Sequence, residues 1–327
     1  MRLPTGLATG FLAGAIVAIL ALIGGAAQAQ NFPTKTITIL AGVPPGGSVN
    51  AVFIQYAEIL GKALGQRVVI ENKPGGGGIT AALALTQAPP DGHTIMVALG
   101  GMHTIVPAMQ QLTFHPIDDF EPVSLLYSLP NYIAVPGNSP VNSVQELIEF
   151  GKKKPGGLSF GTSGVGSPGH LMGELLAEKT GVAMTHVAYR GGGPMMLDLI
   201  AGRLDYGLPP SAIAIQPAKE KQVKLLAIVG DRFPGTPDVP TFEQAGIAGT
   251  GVDSLFGVVA PKGTPKAIIA RLNEEFSKAS RDPELVKKMA DLALVIRATP
   301  PEALNAAFRA DLARLGKVVK DRGIKAE

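Results

Sequence analysis

The feature that most limits the folds open to this chain is a repeated order: an apolar strand, a glycine-rich loop, then a helix. It occurs first at Ile37–Val43, followed by Pro44-Pro45-Gly46-Gly47-Ser48-Val49-Asn50. It recurs at Leu158-Ser159-Phe160, followed by Gly161-Thr162-Ser163-Gly164-Val165-Gly166-Ser167-Pro168-Gly169-His170. A strand that feeds a helix in this way is part of a βαβ unit, so the natural architecture is a parallel sheet covered by helices. Each loop also leaves backbone N–H groups and hydroxyls at a helix N-terminus, where the aligned peptide dipoles favour an anion. Two such loops, more than a hundred residues apart, predict a protein that grips a small carboxylate between two halves.

The rest of the chain fits that frame. Val52, Tyr56, Ile59, Leu60 and Ala63 fall on one face of a helix after the first loop. Arg67–Glu71 and Thr94–Leu99 read as the next strands. Pro74-Gly75-Gly76-Gly77-Gly78 reads as a flexible turn, and Pro89-Pro90-Asp91-Gly92 as another. Strands at Val123–Tyr127 and Tyr132–Pro136 lead to a second α/β series. There Ser143 and Glu146 form a capping box, Ser167-Pro168 opens a helix, and Pro194 and Gly202 bracket one. Its strands are Leu158–Thr162, Thr185–Ala188, Asp205–Leu208 and Lys224–Val229. Ser254–Ala260 then returns to the first half, followed by helices opened by Thr264-Pro265, Asp282-Pro283 and a capping box at Thr299-Pro300-Pro301-Glu302.

The expected fold is therefore α/β and two-lobed, with residues 30–129 and 254–327 in one lobe and 130–253 in the other. A split first lobe requires two crossings, near 127–131 and 252–256, and two crossings make a hinge. The cleft between the lobes is where a small-molecule site is expected.

Residues 1–29 are read as an export signal: Arg2, an apolar run over Phe11–Ala27, then the small-x-small Ala27-Gln28-Ala29. Cleavage after Ala29 leaves 327 − 29 = 298 residues and lowers the net charge from +3 to +2, because Arg2 is the only charge removed. That charge is too small, and too little clustered, for a nucleic-acid partner. With no cysteine, disulfides, thiol catalysis, Cys-ligated zinc and a lipoprotein anchor are excluded. The bacterial periplasm is the compartment that follows.

Other chemistries fit the motifs poorly. Gly164-Val165-Gly166-Ser167-Pro168-Gly169 is a formal G-x-G-x-x-G, but the next strand ends at Ala188-Tyr189-Arg190 without the acidic residue that would bind a ribose. No nucleotide or other cofactor is expected. Ser163 misses G-x-S-x-G by one position, and nothing in the spacing of Ser167, His170 and Asp205 brings them together. A serine-dependent carboxylate-ester hydrolase using Ser163 or Ser167 is the alternative from a different class. The five histidines show no metal-ligand spacing. His93, His115 and His186 read as ordinary loop or core residues, whereas His103 and His170 sit in strand-to-helix loops and are ligand candidates. For Ser48, Thr162, Ser163 and Ser167, capping and anion binding use the same geometry, and both roles stand.

Seven segments, taken in order, resemble one bacterial family. They are Pro44–Ser48, Glu71–Gly75, Pro89–Thr94, Gly161–Leu171, His186–Gly191, Pro237–Thr241 and Ala260–Pro265. The order is similar to that of the Bug-type substrate-binding proteins of tripartite tricarboxylate transporters, across essentially the whole mature chain. The resemblance implies a type II periplasmic-binding-protein fold and a monomeric, non-enzymatic receptor that hands its ligand to a membrane permease. It also implies that a carboxylate is met by amides, hydroxyls and water from Pro45, Gly46, Gly47, Ser48 and Asn50 on one side and Gly161, Thr162, Ser163, Ser167 and His170 on the other. His103 and Arg190 complete the expected set. The chain departs from the family at Asn50 (often Asp), at Arg190 (often Lys) and at Pro209-Pro210, where the family often carries an acidic or amide pair. The last departure disfavours a polar amino acid and favours a carboxylate with an apolar body.

Overall fold

The computed structural model describes residues 32–46 and 48–325. The proposed signal segment and Gly47 lie outside the described residues.

The chain begins with β1 (Ile37–Ala41), α1 (Ser48–Leu64), β2 (Val68–Asn72), α2 (Ile79–Thr86) and β3 (Thr94–Leu99). Two short helices, α3 (Gly100–Thr104) and α4 (Val106–Met109), precede the long strand β4 (Phe120–Leu129). A second series follows: β5 (Tyr132–Pro136), α5 (Val144–Lys153), β6 (Leu158–Thr162), α6 (Pro168–Thr180), β7 (Met184–Ala188), α7 (Gly192–Ile200), β8 (Tyr206–Gly207), α8 (Ser211–Lys219) and β9 (Val223–Ile228). The chain closes with β10 (Ser254–Pro261), α9 (Lys266–Ala279), α10 (Pro283–Asp291), β11 (Val295–Ile296) and α11 (Pro301–Asp321).

These strands form two sheets. The first has the order β11-β4-β10-β3-β1-β2 and the second β7-β6-β8-β5-β9. In the first, β1 pairs in parallel with β2 and β3, and β10 runs antiparallel to both β3 and β4. In the second, β6 is parallel to β7 and β8, and β5 is antiparallel to β8 and β9. The fold is thus α/β and two-lobed.

Local signals account for several boundaries. Ser143 Oγ accepts from Glu146 N at 3.1 Å, while Glu146 Oε2 accepts from Asn142 N at 2.8 Å, closing the first turn of α5. Asp282 accepts from the backbone N–H groups of Glu284 and Leu285 and starts α10. The box expected at Thr299–Glu302 does not form. Thr299 continues the strand pairing instead: its N–H donates to Leu125 O at 3.0 Å and its hydroxyl accepts from Leu125 N at 3.3 Å. A sheet edge needing partners outcompetes a cap on an exposed helix end.

Both sheets bury one core on each face. Phe53, Tyr56 and Leu60 of α1 pack with Leu272 and Phe276 of α9 over Ile37, Ile39, Val97 and Val258. On the opposite face Leu304 and Phe308 of α11 meet Leu85, Met96 and Phe120. In the second sheet α6 lies tight on β6, because a Cβ at Gly173 would stand 2.1 Å from the Phe160 ring.

The C-terminal helix departs from the expected assignment of residues 254–327 to one lobe. Its first half packs on the first sheet, but Leu315, Val318 and Val319 share a core with Leu171, Met172 and Leu176 of α6. Ile105, Ala108 and Met109, from the short helices after β3, join that same core. A helix of 21 residues is about 30 Å long, enough to reach from one unit to the other.

Candidate ligand-binding site

The registers place the loops. Phe256 of β10 lies opposite Leu99, so β10 begins where β3 ends, and Ser254 lies opposite Leu129 at the end of β4. In the second sheet Ala134 of β5 lies opposite Gly207, and Asn131 bridges to Pro210. The two places where the chain passes between sheets therefore sit at the carboxyl ends of both sets of parallel strands. The loops leaving β1, β2, β3, β6, β7 and β8 open at that same edge, which is where α/β sheets hold ligands. Asn131 Nδ2 donates to Val252 O at 3.2 Å and ties the two crossings together. Ser211 Oγ donates to Ala293 O at 2.7 Å between the same two units.

The first loop is clamped at its base by a pair of amides. Asn50 Nδ2 donates to Asn72 Oδ1 at 3.1 Å, and Asn72 Nδ2 donates to Asn50 Oδ1 at 2.8 Å and also to Val43 O at 2.8 Å. Asn50 was expected to meet the ligand. It is buried, and its amide is committed to Asn72, so its role is to fix the loop. Pro45, Gly46 and Ser48 are exposed above it, and Gly46 holds a φ of +91°, a conformation that favours glycine. The Gly75–Gly78 segment is not structureless: Gly76–Gly78 form a 3₁₀ turn, and a Cβ at Gly42 would stand 2.8 Å from Gly78 Cα. The first two strand-to-helix loops are thus pressed together backbone to backbone.

In the second loop most side chains turn inward. Thr162 is fully buried; its hydroxyl accepts from Gly164 N at 3.2 Å and shares a 2.7 Å hydrogen bond with His186 Nε2. Ser167 caps α6, accepting from His170 N at 3.3 Å, and its hydroxyl donates to Gly164 O at 2.7 Å. His170 Nδ1 accepts from Gly166 N at 3.1 Å, so that nitrogen carries no proton. Gly161 is a packing residue, since a Cβ there would stand 2.4 Å from Leu204 Cδ1. Ser163 alone of the polar set faces outward: it is exposed, and its carbonyl accepts from Gly191 N at 3.2 Å. Gly164 and Gly166 adopt φ of +137° and +71°, and a Cβ at Gly166 would stand 2.7 Å from Met109 Sδ, so the loop abuts the other unit.

His103 does not reach this edge. It is buried beneath α11, stacked on Phe308 at 4.5 Å and edge-on to Phe120 at 5.6 Å. Its Nδ1 donates to the Pro116 carbonyl, and burial pushes its pKa down to about 4. It is a neutral core residue, because the chain after β3 turns it under α11 and not toward the loop edge. Arg190, in the loop after β7, is exposed and makes no ion pair among the described residues. The uncapped N-terminus of α7 follows it, with Gly191 at a φ of +102°.

Ser167, His170 and Asp205 are not arranged as a triad. His170 Nδ1 is occupied by Gly166 N–H rather than a serine hydroxyl, and Asp205 is bound to Lys154 and to Ser159 N. No group of metal-binding side chains occurs among the described residues. A cavity of about 510 Å³ lies between α8, the 233–235 segment, α10 and β11, away from both glycine loops.

Two sheets whose glycine-rich loops open at one shared edge have the geometry of a two-lobed solute receptor. The chain belongs to the tripartite tricarboxylate transporter family receptors: residues 52–324 match that family. It is 34% identical over 317 residues to a UPF0065 protein from the tcbD–tcbE intergenic region of Pseudomonas sp. strain P51, covering 96% of this chain and 94% of that one. Among solved structures it is similar to MatC from Rhodopseudomonas palustris with bound malate, at 31% identity and a TM-score of 0.70, covering 88% and 100% of the two chains. A second R. palustris protein, solved with adipate, is 30% identical with a TM-score of 0.74, covering 90% and 99%. The family's receptors are periplasmic substrate-binding proteins.

The side chain beneath the first loop that the sequence reading passed over is Asn72. Asn72→Ala should leave the buried Asn50 amide and Val43 carbonyl short of partners. The expected loss is about 1–3 kcal/mol of stability, measured by urea unfolding. Unchanged stability would mean that the amide pair does not hold the loop.

Proposed function

We propose that this chain is the periplasmic receptor of a tripartite tricarboxylate-type transporter and captures a small organic dicarboxylate between its two glycine loops. The observation that carries the reading is the division of labour in the loops. Asn50, Thr162, Ser167 and His170 face inward and shape the backbone, which leaves Ser48, Ser163 and turn N–H groups at the cleft edge. Oriented amides and hydroxyls can hold one carboxylate by themselves. Arg190, exposed in the loop after β7 and without an ion pair among the described residues, is placed to meet a second carboxylate. Malate and adipate, held by the two R. palustris relatives, are both dicarboxylates. Pro209-Pro210 offers no polar side chain beside the Asn131 crossing, which favours an apolar spacer of the adipate type.

The ligand is passed to a membrane permease, and the receptor works as a monomer. The lobes divide at the two crossings, and ligand binding closes them. Each loop presents only part of the donor set, and closure removes water, which strengthens every amide contact.

Four measurements test this reading. A thermal-shift screen over C4 to C8 dicarboxylates, tricarboxylates and amino acids should raise the melting temperature for a dicarboxylate, because a ligand that binds only the folded state stabilises it. With that hit, Ser48→Ala and Ser163→Ala should each weaken binding by about 1–3 kcal/mol in calorimetry, the cost of one hydrogen bond to a charged group. Unchanged affinity in both would remove the carboxylate from these loops. Small-angle scattering should show a smaller radius of gyration at saturation; an equal radius with binding confirmed would rule out hinge closure. The exported protein should begin at Gln30, and an intact mass that still includes residues 1–29 would refute cleavage after Ala29.

A further inference from the structure

Beneath the second glycine loop two histidine rings lie face to face. The His170 and His186 centroids are 3.9 Å apart and the planes differ by 11°. Each ring carries one strut of the loop. His170 Nδ1 accepts from Gly166 N, and His186 Nε2 is bound to the Thr162 hydroxyl, which in turn accepts from Gly164 N. The loop backbone holds Gly164 and Gly166 at positive φ, and the two rings share its polar support with Ser167, whose hydroxyl donates to Gly164 O.

We infer that the stacked His170–His186 pair positions the carboxylate-binding loop only while both rings are neutral, and releases it on protonation. A proton on His170 Nδ1 converts the acceptor of the Gly166 N–H into a second donor aimed at it. A proton on each ring puts two like charges 3.9 Å apart, face to face. The inference rests on the reading that this loop holds the ligand; the support of the loop by the rings does not.

The surroundings offer one carboxylate, Glu174, which is already shared with Arg322. Phe160 of β6 stacks on the other face of His186 at 5.0 Å. Tyr206 of β8 is neutral and donates to Met184 Sδ at 3.0 Å. From α6 itself, Glu174 Oε1 lies 3.9 Å from His170 Nε2, too far for a hydrogen bond, and its other oxygen faces Nε of Arg322, just past α11, at 3.5 Å. Met109 of α4 is the residue that a Cβ on Gly166 would strike from the other unit. Burial lowers the pKa of His170, and burial together with the charge of His170 pushes His186 down to about 4. The sign follows. An unfolded histidine takes up its proton near pH 6.5, whereas the folded rings resist it. The stability they contribute is whole above about pH 6.5 and is lost progressively as pH falls toward the folded values.

The test needs no ligand. In ¹⁵N-labelled protein titrated from pH 7.5 to 4, the imidazole nitrogens report protonation, and hydrogen exchange at Gly164 and Gly166 reports the loop. Protection at Gly166 should fall by about tenfold or more as His170 protonates, the consequence of losing one hydrogen bond. Amides of β1 should keep theirs. His170→Asn retains an acceptor oxygen but cannot titrate; its Gly166 protection should be independent of pH, and His186 should titrate higher. His186→Gln should abolish the pH dependence at Gly164 and keep it at Gly166, which tests the idea even if His170→Asn fails to fold. Constant Gly166 protection while His170 titrates, or a loss shared equally with β1, would overturn the inference. A failure of Ser163→Ala to weaken binding would count against the ligand reading alone and leave this exchange result standing.

Discussion

The architecture depends on the antiparallel placement of β10 between β3 and β4. A strand that comes late in the chain is inserted into the middle of the first sheet, so the chain must leave that sheet after Leu129 and come back at Ser254. Everything between folds as a second unit. Because antiparallel neighbours start where parallel ones end, both passages fall at the carboxyl edge of the parallel strands. The same register that closes the first sheet therefore brings six strand-to-helix loops to one place. α11 adds a third link, with its first half in the core of one unit and Leu315, Val318 and Val319 in the core of the other.

The glycine loops need more support than helix capping supplies. Positive φ at Gly46, Gly164 and Gly166 bends the chain sharply, and such a bend must be held by something beneath it. In the first loop a reciprocal amide pair, Asn50 with Asn72, does this. In the second the work falls to Thr162, Ser167, His170 and His186. The two devices differ in one physical respect. The amides cannot titrate, whereas the imidazoles can, so the halves of the cleft respond differently to acid.

Much of the fold was legible from local pattern. The parallel strands ended in turn glycines, and helix starts at Ser143, Ser167 and Asp282 were marked by side chains that reach their own N–H groups. These are short-range effects, decided within a few residues. Elements that exist only because of a distant partner were not legible. β11 is two residues long and is a strand only because Ser128 and Tyr127 of β4 accept it. Thr299 pairs with Leu125 rather than capping a helix for the same reason.

The candidate site divides in the same way. The sequence by itself determined the α/β order, the two glycine loops and the residue types that could meet an anion, because strand period, capping and glycine's freedom at positive φ act locally. It could not say which way a polar side chain turns. Asn50 and His103 were both candidates, yet one is paired to Asn72 from another strand and the other is buried under Phe308 of the last helix. His186 reads in the sequence as an ordinary loop or core residue, yet it stands under the loop because β7 pairs in parallel with β6 and puts it opposite Phe160. Only the tertiary structure could decide these cases, since each depends on a partner from a separate strand or helix, and burial leaves a polar group with whichever partner the packing brings.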